Sequence, residues 1–528
     1  MQYATPMYVT TPWHNRSSAL FVALLLEIGG LCYGQTPAMS AGAGASSRAV
    51  ALPASGRSPQ AGAVASQQSP SPGSGVASVN SSIQVNGNFA GSVPAAPPGA
   101  GPIALSLADA LKLGLAANLG TIAASDSVRA ARAGRIQALS ALLPDISANA
   151  SETVTQVNLA AYGFQFKPLP GSGFTIPSIV GPFEYSQLQG SLSQSLYDPV
   201  ARRNWKASKE SERAAQLSAR DARELVVLAV GGTYLQTLAA GARVDSQRAQ
   251  VANAQAVYDQ AVVRKAAGTN SKIDVMRSRV ELQTQQQRLS TLEADLRKQK
   301  LTLARVIGLP LDREVILSEP LRFRQTNIPD AGAAIRQAEA RRADLRAADA
   351  QVRAAEQALS AAHAERLPSI AVNGNYGALG PTPTHAHGVF AVTGSVNVPI
   401  WQGGRTKGDI QQAEATLHQR QAELDDQRAR VEQDVRNALI ELETAAGQVK
   451  LADSNRNYAN ETLAEARDRF AAGVATTVEV VQAQEQVANA ESDYISSLFS
   501  FDLAELSLAR ATGGAEAELP DLLKESRP

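Results

Sequence analysis

The 528-residue sequence predicts a mainly α-helical chain with membrane-type β-strands, built on an internal twofold repeat. Three observations predict it. First, Arg264-Lys-Ala-Ala-Gly268-Thr-Asn-Ser-Lys-Ile-Asp274-Val275 recurs as Arg469-Phe-Ala-Ala-Gly473-Val-Ala-Thr-Thr-Val-Glu479-Val480, 205 residues later (473 minus 268). Duplication at this length makes one half the unit to explain. Second, in each half the apolar period switches from 3.6 to 2 after a proline. Third, an apolar heptad runs through long stretches of strong helix formers.

Composition bounds the answer. Aromatic residues are only 5% of the chain, and Ala, Gln, Arg, Glu and Leu crowd residues 200–310 and 404–512. Small side chains suit thin layers of close-packed helices better than one thick core. The formal net charge is +0, which implies no nucleic-acid partner. Arg16 precedes the apolar run Ala19-Leu-Phe-Val-Ala-Leu-Leu-Leu26, and small residues follow to Gly34. That is a signal-peptide layout over 1–34, too short to span a bilayer. The only cysteine, Cys32, follows Leu31 and falls within it, so no thiol chemistry is expected of the mature chain. No later stretch is read as a transmembrane helix. Residues 35–102, rich in Ala, Gly, Ser, Pro and Gln, read as a disordered leader.

The first repeat is expected over 103–307. Helix begins near Leu105-Ser-Leu-Ala-Asp-Ala-Leu111, continues through Ser125–Leu143 and stops at Pro144. A β-hairpin follows over 145–197, with Leu188, Gly190, Leu192 and Leu196 alternating with Gln and Ser; Ile146, Ala148, Ala150 and Val154 form its weaker strand. The second repeat, 331–514, has helix from Ala331 through Arg342-Ala-Asp-Leu345 to Pro368, then a hairpin over 369–401. There Ile370, Val372, Gly374 and Tyr376 face Phe390, Val392, Gly394, Val396, Val398 and Ile400. One apolar and one small polar face over about ten residues is the transmembrane-strand pattern. The bland alternative is a soluble sheet with one wet face. Tyr197 and Trp401 close the second strand of each half, where rings sit in the membrane-interface girdle.

Each hairpin turns straight into helix, through Asp198-Pro199 in one half and Gln402-Gly403-Gly404 in the other. Some 60 helical residues reach a tip and return, on the order of 90 Å. The return seam reads Leu282, Leu289, Leu296, Leu303 and, in the second copy, Val487, Tyr494, Phe501, Leu508, which predicts antiparallel coiled coils. Residues 308–330 connect the halves as an equatorial belt, and 515–528 form a tail. No catalytic signature, cofactor site or metal site is assigned. His385-Ala-His387 reads as polar loop residues. Four strands per chain cannot close a barrel, and an open edge cannot sit in lipid, so the chain must oligomerise.

With these features in place the chain resembles the TolC-like outer-membrane efflux channel family over about residues 103–515. The matching residues are Leu105-Ser-Leu-Ala-Asp-Ala-Leu with Asn118, Arg342-Ala-Asp-Leu345, the Leu-Pro pairs at 143–144 and 367–368, Ile400-Trp-Gln-Gly-Gly404, and both tips. The resemblance implies a homotrimer sharing one 12-strand β-barrel in the outer membrane of a Gram-negative bacterium, four strands per chain, continued by a helical periplasmic tunnel. It also implies docking to a periplasmic adaptor and, through it, to an inner-membrane pump in tripartite efflux or type I secretion. The chain would be a passive duct for drugs, metals or proteins, not an enzyme. Mapped here, the adaptor-docking tips are Ala267-Gly268-Thr269 and Ala472-Gly473-Val474, although glycine also serves as a plain helix C-cap. Asp274 and Glu479 would ring the periplasmic aperture; their spacing from Ser271 and Thr476 is equally that of a capping box. Gln482 stands where the family has a further acid. The competing readings are an exported structural or adhesive coiled-coil protein, and an adaptor, which has one hairpin and soluble β-domains.

Overall fold

The computed structural model describes residues 64–70, 79–94, 101–163, 177–269, 271–321, 323 and 328–517. The signal peptide, most of the leader, part of the first hairpin loop and most of the C-terminal tail lie outside the described residues.

Two strands come first, β1 (Val64–Pro70) and β2 (Val79–Val85), followed by β3 (Ile103–Leu105). The first repeat then runs α1 (Leu107–Ala117), α2 (Leu119–Ser140), β4 (Asp145–Asn158), β5 (Ile179–Tyr197), α3 (Pro199–Ala266) and α4 (Lys272–Ile307). After β6 (Val315–Leu317) the second repeat gives α5 (Ala331–Arg341), α6 (Ala343–Ala364), β7 (Ser369–Gly380), β8 (His387–Asn397), α7 (Arg405–Ala471) and α8 (Thr477–Ala511). The element order of the two repeats is therefore the same.

The long helices start where local chemistry starts them. Asp198 accepts from the Ala201 N–H at 2.8 Å, and Pro199 lacks the donor that a first turn leaves orphaned. In the second repeat Gly403 and Gly404 both adopt positive φ and turn the chain into α7. α3 and α7 hold 68 and 67 residues, so each is about 100 Å long. α3 pairs with α4, and α7 with α8. Of the heptad residues, Leu282, Leu303, Val487 and Phe501 are buried in these seams; Leu289, Leu296, Tyr494 and Leu508 are half-buried.

Several details depart from the sequence reading. Leu105 is the end of a strand, not the start of a helix, because β3 pairs in parallel with β6 from the inter-repeat connector. The first helix breaks at Asn118, whose buried side chain accepts from Gly120 N–H and donates to the carbonyls of Phe89 and Val306. A helix continuing unbroken would leave those carbonyls without this donor. α3 also contains a stretch apolar enough to cross a membrane by length and composition, contrary to the expectation of none. Two thirds of it is buried: Val226 to Val230, Tyr234 and Leu235 form the core of the helical shaft with Leu303, Ile307 and Leu506.

The leader also requires correction. Its final part is not structureless: β1 and β2 pair antiparallel, and residues 87–90 form a 3-10 turn. Ile83 and Phe89 are buried in the main core. Ile83 occupies the space a side chain at Gly232 of α3 would need, and Phe89 does the same over Gly120. Two large apolar residues in a polar, low-complexity run are too weak a signal to read as a core contact without the notches that receive them.

Candidate functional site

The four long strands form one antiparallel sheet in the order β4-β5-β7-β8. Its register aligns side chains in rows. Ile146, Leu192, Gly374 and Val392 form one row, and Ala148, Gly190, Tyr376 and Phe390 the next. On the opposite face Ser147, Ser191, Asn375 and Ala391 align, as do Asp145, Ser193, Asn373 and Thr393. Ser147 and Ser191 hydroxyls hydrogen-bond across the strands at 2.7 Å. The apolar face is open: Ile146, Tyr376, Phe390 and Val392 are each more than 70% exposed. Tyr197 joins this face beside Ile370 and Val396, because a bulge at Leu196 resets the register. Trp401 is 88% exposed but lies beyond β8, which ends at Asn397, so it flanks the strand rather than closing it.

At the far end of the helices lie the two tips. Gly268 and Gly473 have φ of 77° and 79°, a conformation that favours glycine. Thr269 N–H bonds to the Arg264 carbonyl and Val474 N–H to the Arg469 carbonyl, each at 3.0 Å, which closes a Schellman motif in both copies. Both capping boxes are formed. Ser271 Oγ accepts from Asp274 N–H at 3.3 Å while Asp274 Oδ2 accepts from Ser271 N–H at 3.3 Å. Thr476 and Glu479 exchange the same bonds at 3.4 and 3.2 Å. The sequence predicted both halves of this geometry.

What the sequence reading missed is how the tips are joined. Arg264 donates to the carbonyls of Phe470 at 2.7 Å and Ala471 at 2.9 Å, and its guanidinium lies 4.4 Å from the Phe470 ring centroid. It thus caps the C-terminus of α7 from the other repeat. The residue that aligns with Phe470 in the first repeat is Lys265, which offers Arg469 no aromatic ring, so only the pairing of Arg264 with Phe470 could have signalled the contact. Beside the tips, Ile273, Met276, Val280, Val478 and Val481 line a groove of about 550 Å³ between the first turns of α4 and α8, with Gln482 at its edge.

Midway along the shaft a charged knot holds the second repeat. Arg342, between α5 and α6, donates to Asp344 at 2.7 and 3.1 Å and to Asp434 of α7 at 2.8 Å. Burial alone would lower the Arg342 pKa, but these two carboxylates raise it further. Arg510, near the end of α8, reaches Asp221 and Glu224 of α3. Burial pushes Glu224 up to about 7, against the opposing pull of Arg510. His385 Nδ1 lies 3.0 Å from the Thr382 hydroxyl, and no cluster of three metal-ligating side chains occurs among the described residues.

An open sheet that is apolar outside and small and polar inside, continued by paired helices of about 100 Å, is the architecture of an outer-membrane channel. The outer membrane efflux protein family model matches residues 115–309 and 334–514, well over half of the chain, and the chain belongs to that family. It is an outer-membrane protein with a TolC-like fold. It is 24% identical over 302 residues to the pyoverdine export outer membrane protein OpmQ of Pseudomonas putida, and 25% identical over 331 residues to the toluene efflux pump outer membrane protein TtgF of Pseudomonas putida. Those matches cover 55% and 60% of this chain, and 62% and 65% of the two relatives' own lengths. Among solved structures, Vibrio cholerae VceC superposes with a TM-score of 0.66 at 19% identity, over 77% of this chain and 96% of that one. The Campylobacter jejuni CmeC channel gives 0.67 at 16% identity, over 79% and 88%.

Proposed function

We propose that three copies of this chain close one 12-strand barrel and form the passive exit duct of a tripartite efflux or type I secretion system. The observation that carries this is the open four-stranded sheet. Its apolar face is bare, and β4 and β8 each lack a neighbour on one side in the described sheet. In hydrocarbon, unpaired edge amides and carbonyls cost several kcal/mol each, so the edges must join copies. Two copies would give eight strands, whose interior side chains must fill the space. The inner rows named above carry Ser, Asn, Asp, Thr and Ala, too small to fill it, which favours three copies and a wet lumen.

The duct has no chemistry of its own. The tips would meet a periplasmic adaptor, with the pump engaged indirectly, and the cargo would be small organic molecules such as the pyoverdine and toluene for which the relatives are named. Metals, drugs or proteins would be carried in the same way, since a wide duct selects little. In this reading Ala267-Gly268-Thr269 and Ala472-Gly473-Val474 present the docking surface, and Thr269 makes the first tip the more polar of the two.

The test is a tip substitution. Gly473→Asp is expected to abolish export while membrane insertion and oligomer remain, because a side chain at φ near 79° strains the cap and places charge on the docking surface. Normal export by that variant would remove the docking assignment. Asp274 and Glu479 are half-buried, and their carboxylates would also form rings around the narrow end, repelling anions. Glu479→Gln keeps a side chain able to accept the capping bond, and is expected to reduce cation preference in single-channel recordings. Unchanged selectivity would leave Glu479 a capping residue alone.

A further inference from the structure

A cavity of about 380 Å³ lies between α3 and α6, lined by Arg203, Glu356, Leu359, Ser360, His363 and Leu367 among others. Its position is set by the chain path. Arg203 lies six residues after the last residue of β5, and Leu367 two residues before the first of β7. The lining therefore runs from the strand ends to about three helical turns beyond them, starting level with lipid headgroups of the periplasmic leaflet. β5 and β7 are the central strands of the sheet, so the cavity is remote from the β4 and β8 edges where copies would join.

Two further observations bear on what fills it. Arg203 Nη1 is buried with no hydrogen-bond partner among the described residues. A buried, unmatched guanidinium donor is costly, and an anion with several oxygens would satisfy it. The cavity also borders an exposed strip of α6. α6 packs against α3 through Ala347 and Ala350, and against α7 through Leu345 and Val352. Farther along α6, Ala355 and Ala362 are buried, whereas the residues that follow each of them, Glu356 and His363, are exposed. On α3 the neighbouring exposed residues are Arg202 and Lys206, both basic.

We infer that this cavity holds the headgroup of an amine-bearing phospholipid from the periplasmic leaflet. Arg203, with the Ser360 hydroxyl and the His363 ring at hand, takes the phosphate. Glu356 takes the ammonium of the same headgroup, which a bare phosphate site would not need. Leu359 and Leu367 receive the glycerol end, and the acyl chains continue along the exposed apolar rows of β5 and β7. The inference rests on the placement of the sheet in the outer membrane and on the oligomer proposed above.

Full-length protein is purified in mild detergent, stripped of lipid, and offered phosphatidylethanolamine or phosphatidylglycerol. Bound lipid per chain is counted by native mass spectrometry, which reports the oligomer in the same spectrum. The expected result is one phosphatidylethanolamine per chain in the wild type. Arg203→Gln should lose it by about tenfold, the size of one charge-assisted bond set. Glu356→Gln should keep lipid but lose the preference for phosphatidylethanolamine over phosphatidylglycerol. Equal retention by Arg203→Gln in an intact oligomer overturns the proposal. Displacement by millimolar inorganic phosphate with no lipid retained assigns the site to free phosphate and overturns the lipid assignment. A wild type that is monomeric in every spectrum instead removes the oligomer reading beneath it.

Discussion

Glu224 shows how one side chain reports on the shaft. Burial raises its pKa to about 7, Arg510 draws it down, and Asp221 pushes it up again. Between the ordinary glutamate value of 4.5 and about 7 the folded chain holds a proton that the unfolded chain has released. Stability contributed by this group is therefore present at low pH and is lost as pH rises through that window. Asp344, held low by Arg342 against the effect of its own burial, titrates with the opposite sign and below its ordinary value of 3.8, outside the same window. Glu224→Gln should flatten the dependence of the thermal unfolding midpoint between pH 5 and pH 7.5. A variant whose midpoint shifts with pH as much as the wild type would rule Glu224 out as the source. None of this is legible in the sequence, where Asp221, Arg223 and Glu224 look like a solvated helix face. Only the return of α8 places Arg510 against them.

Among elements, the leader strand is the clearest case of a segment whose role depends on its receiver. β2 and the following turn seat Ile83 and Phe89 in notches left by Gly232 and Gly120. Asn118 then ties the Phe89 carbonyl to that of Val306, so the leader, the break between α1 and α2, and the end of α4 form one joint. The second repeat builds its joint differently, with Arg342, Asp344 and Asp434 in place of an apolar plug. Phe89→Ala should cost about 3–5 kcal/mol at the first joint, as large-to-small core changes do. Hydrogen exchange in α1 and α2 should rise while exchange at the tips, far along the shaft, stays unchanged. Uniform protection across the chain in that variant would show that the leader is not part of the core. The repeat made the element order readable from sequence, but each joint uses different chemistry, and so alignment of the halves could not reveal either one.

For the whole molecule, the open sheet predicts the oligomer. Purified protein should migrate as a trimer in mild detergent and collapse to monomer on heating, and a monomer before heating would contradict a shared barrel. The sequence by itself determined the strands, the long helices and both tip caps, because alternation, heptads, Schellman glycines and capping boxes are local codes read over a few residues. The duplication then fixed the order of elements. Tertiary structure alone decided what those elements meet: the apolar run of α3 in a helical core rather than a membrane, Arg264 on the end of α7, Leu105 in a strand with the connector, and Arg203 beneath the central strands. The physical reason is range. Each of these contacts joins residues far apart in the chain, and the side chains involved have the same local appearance whether or not the distant partner arrives.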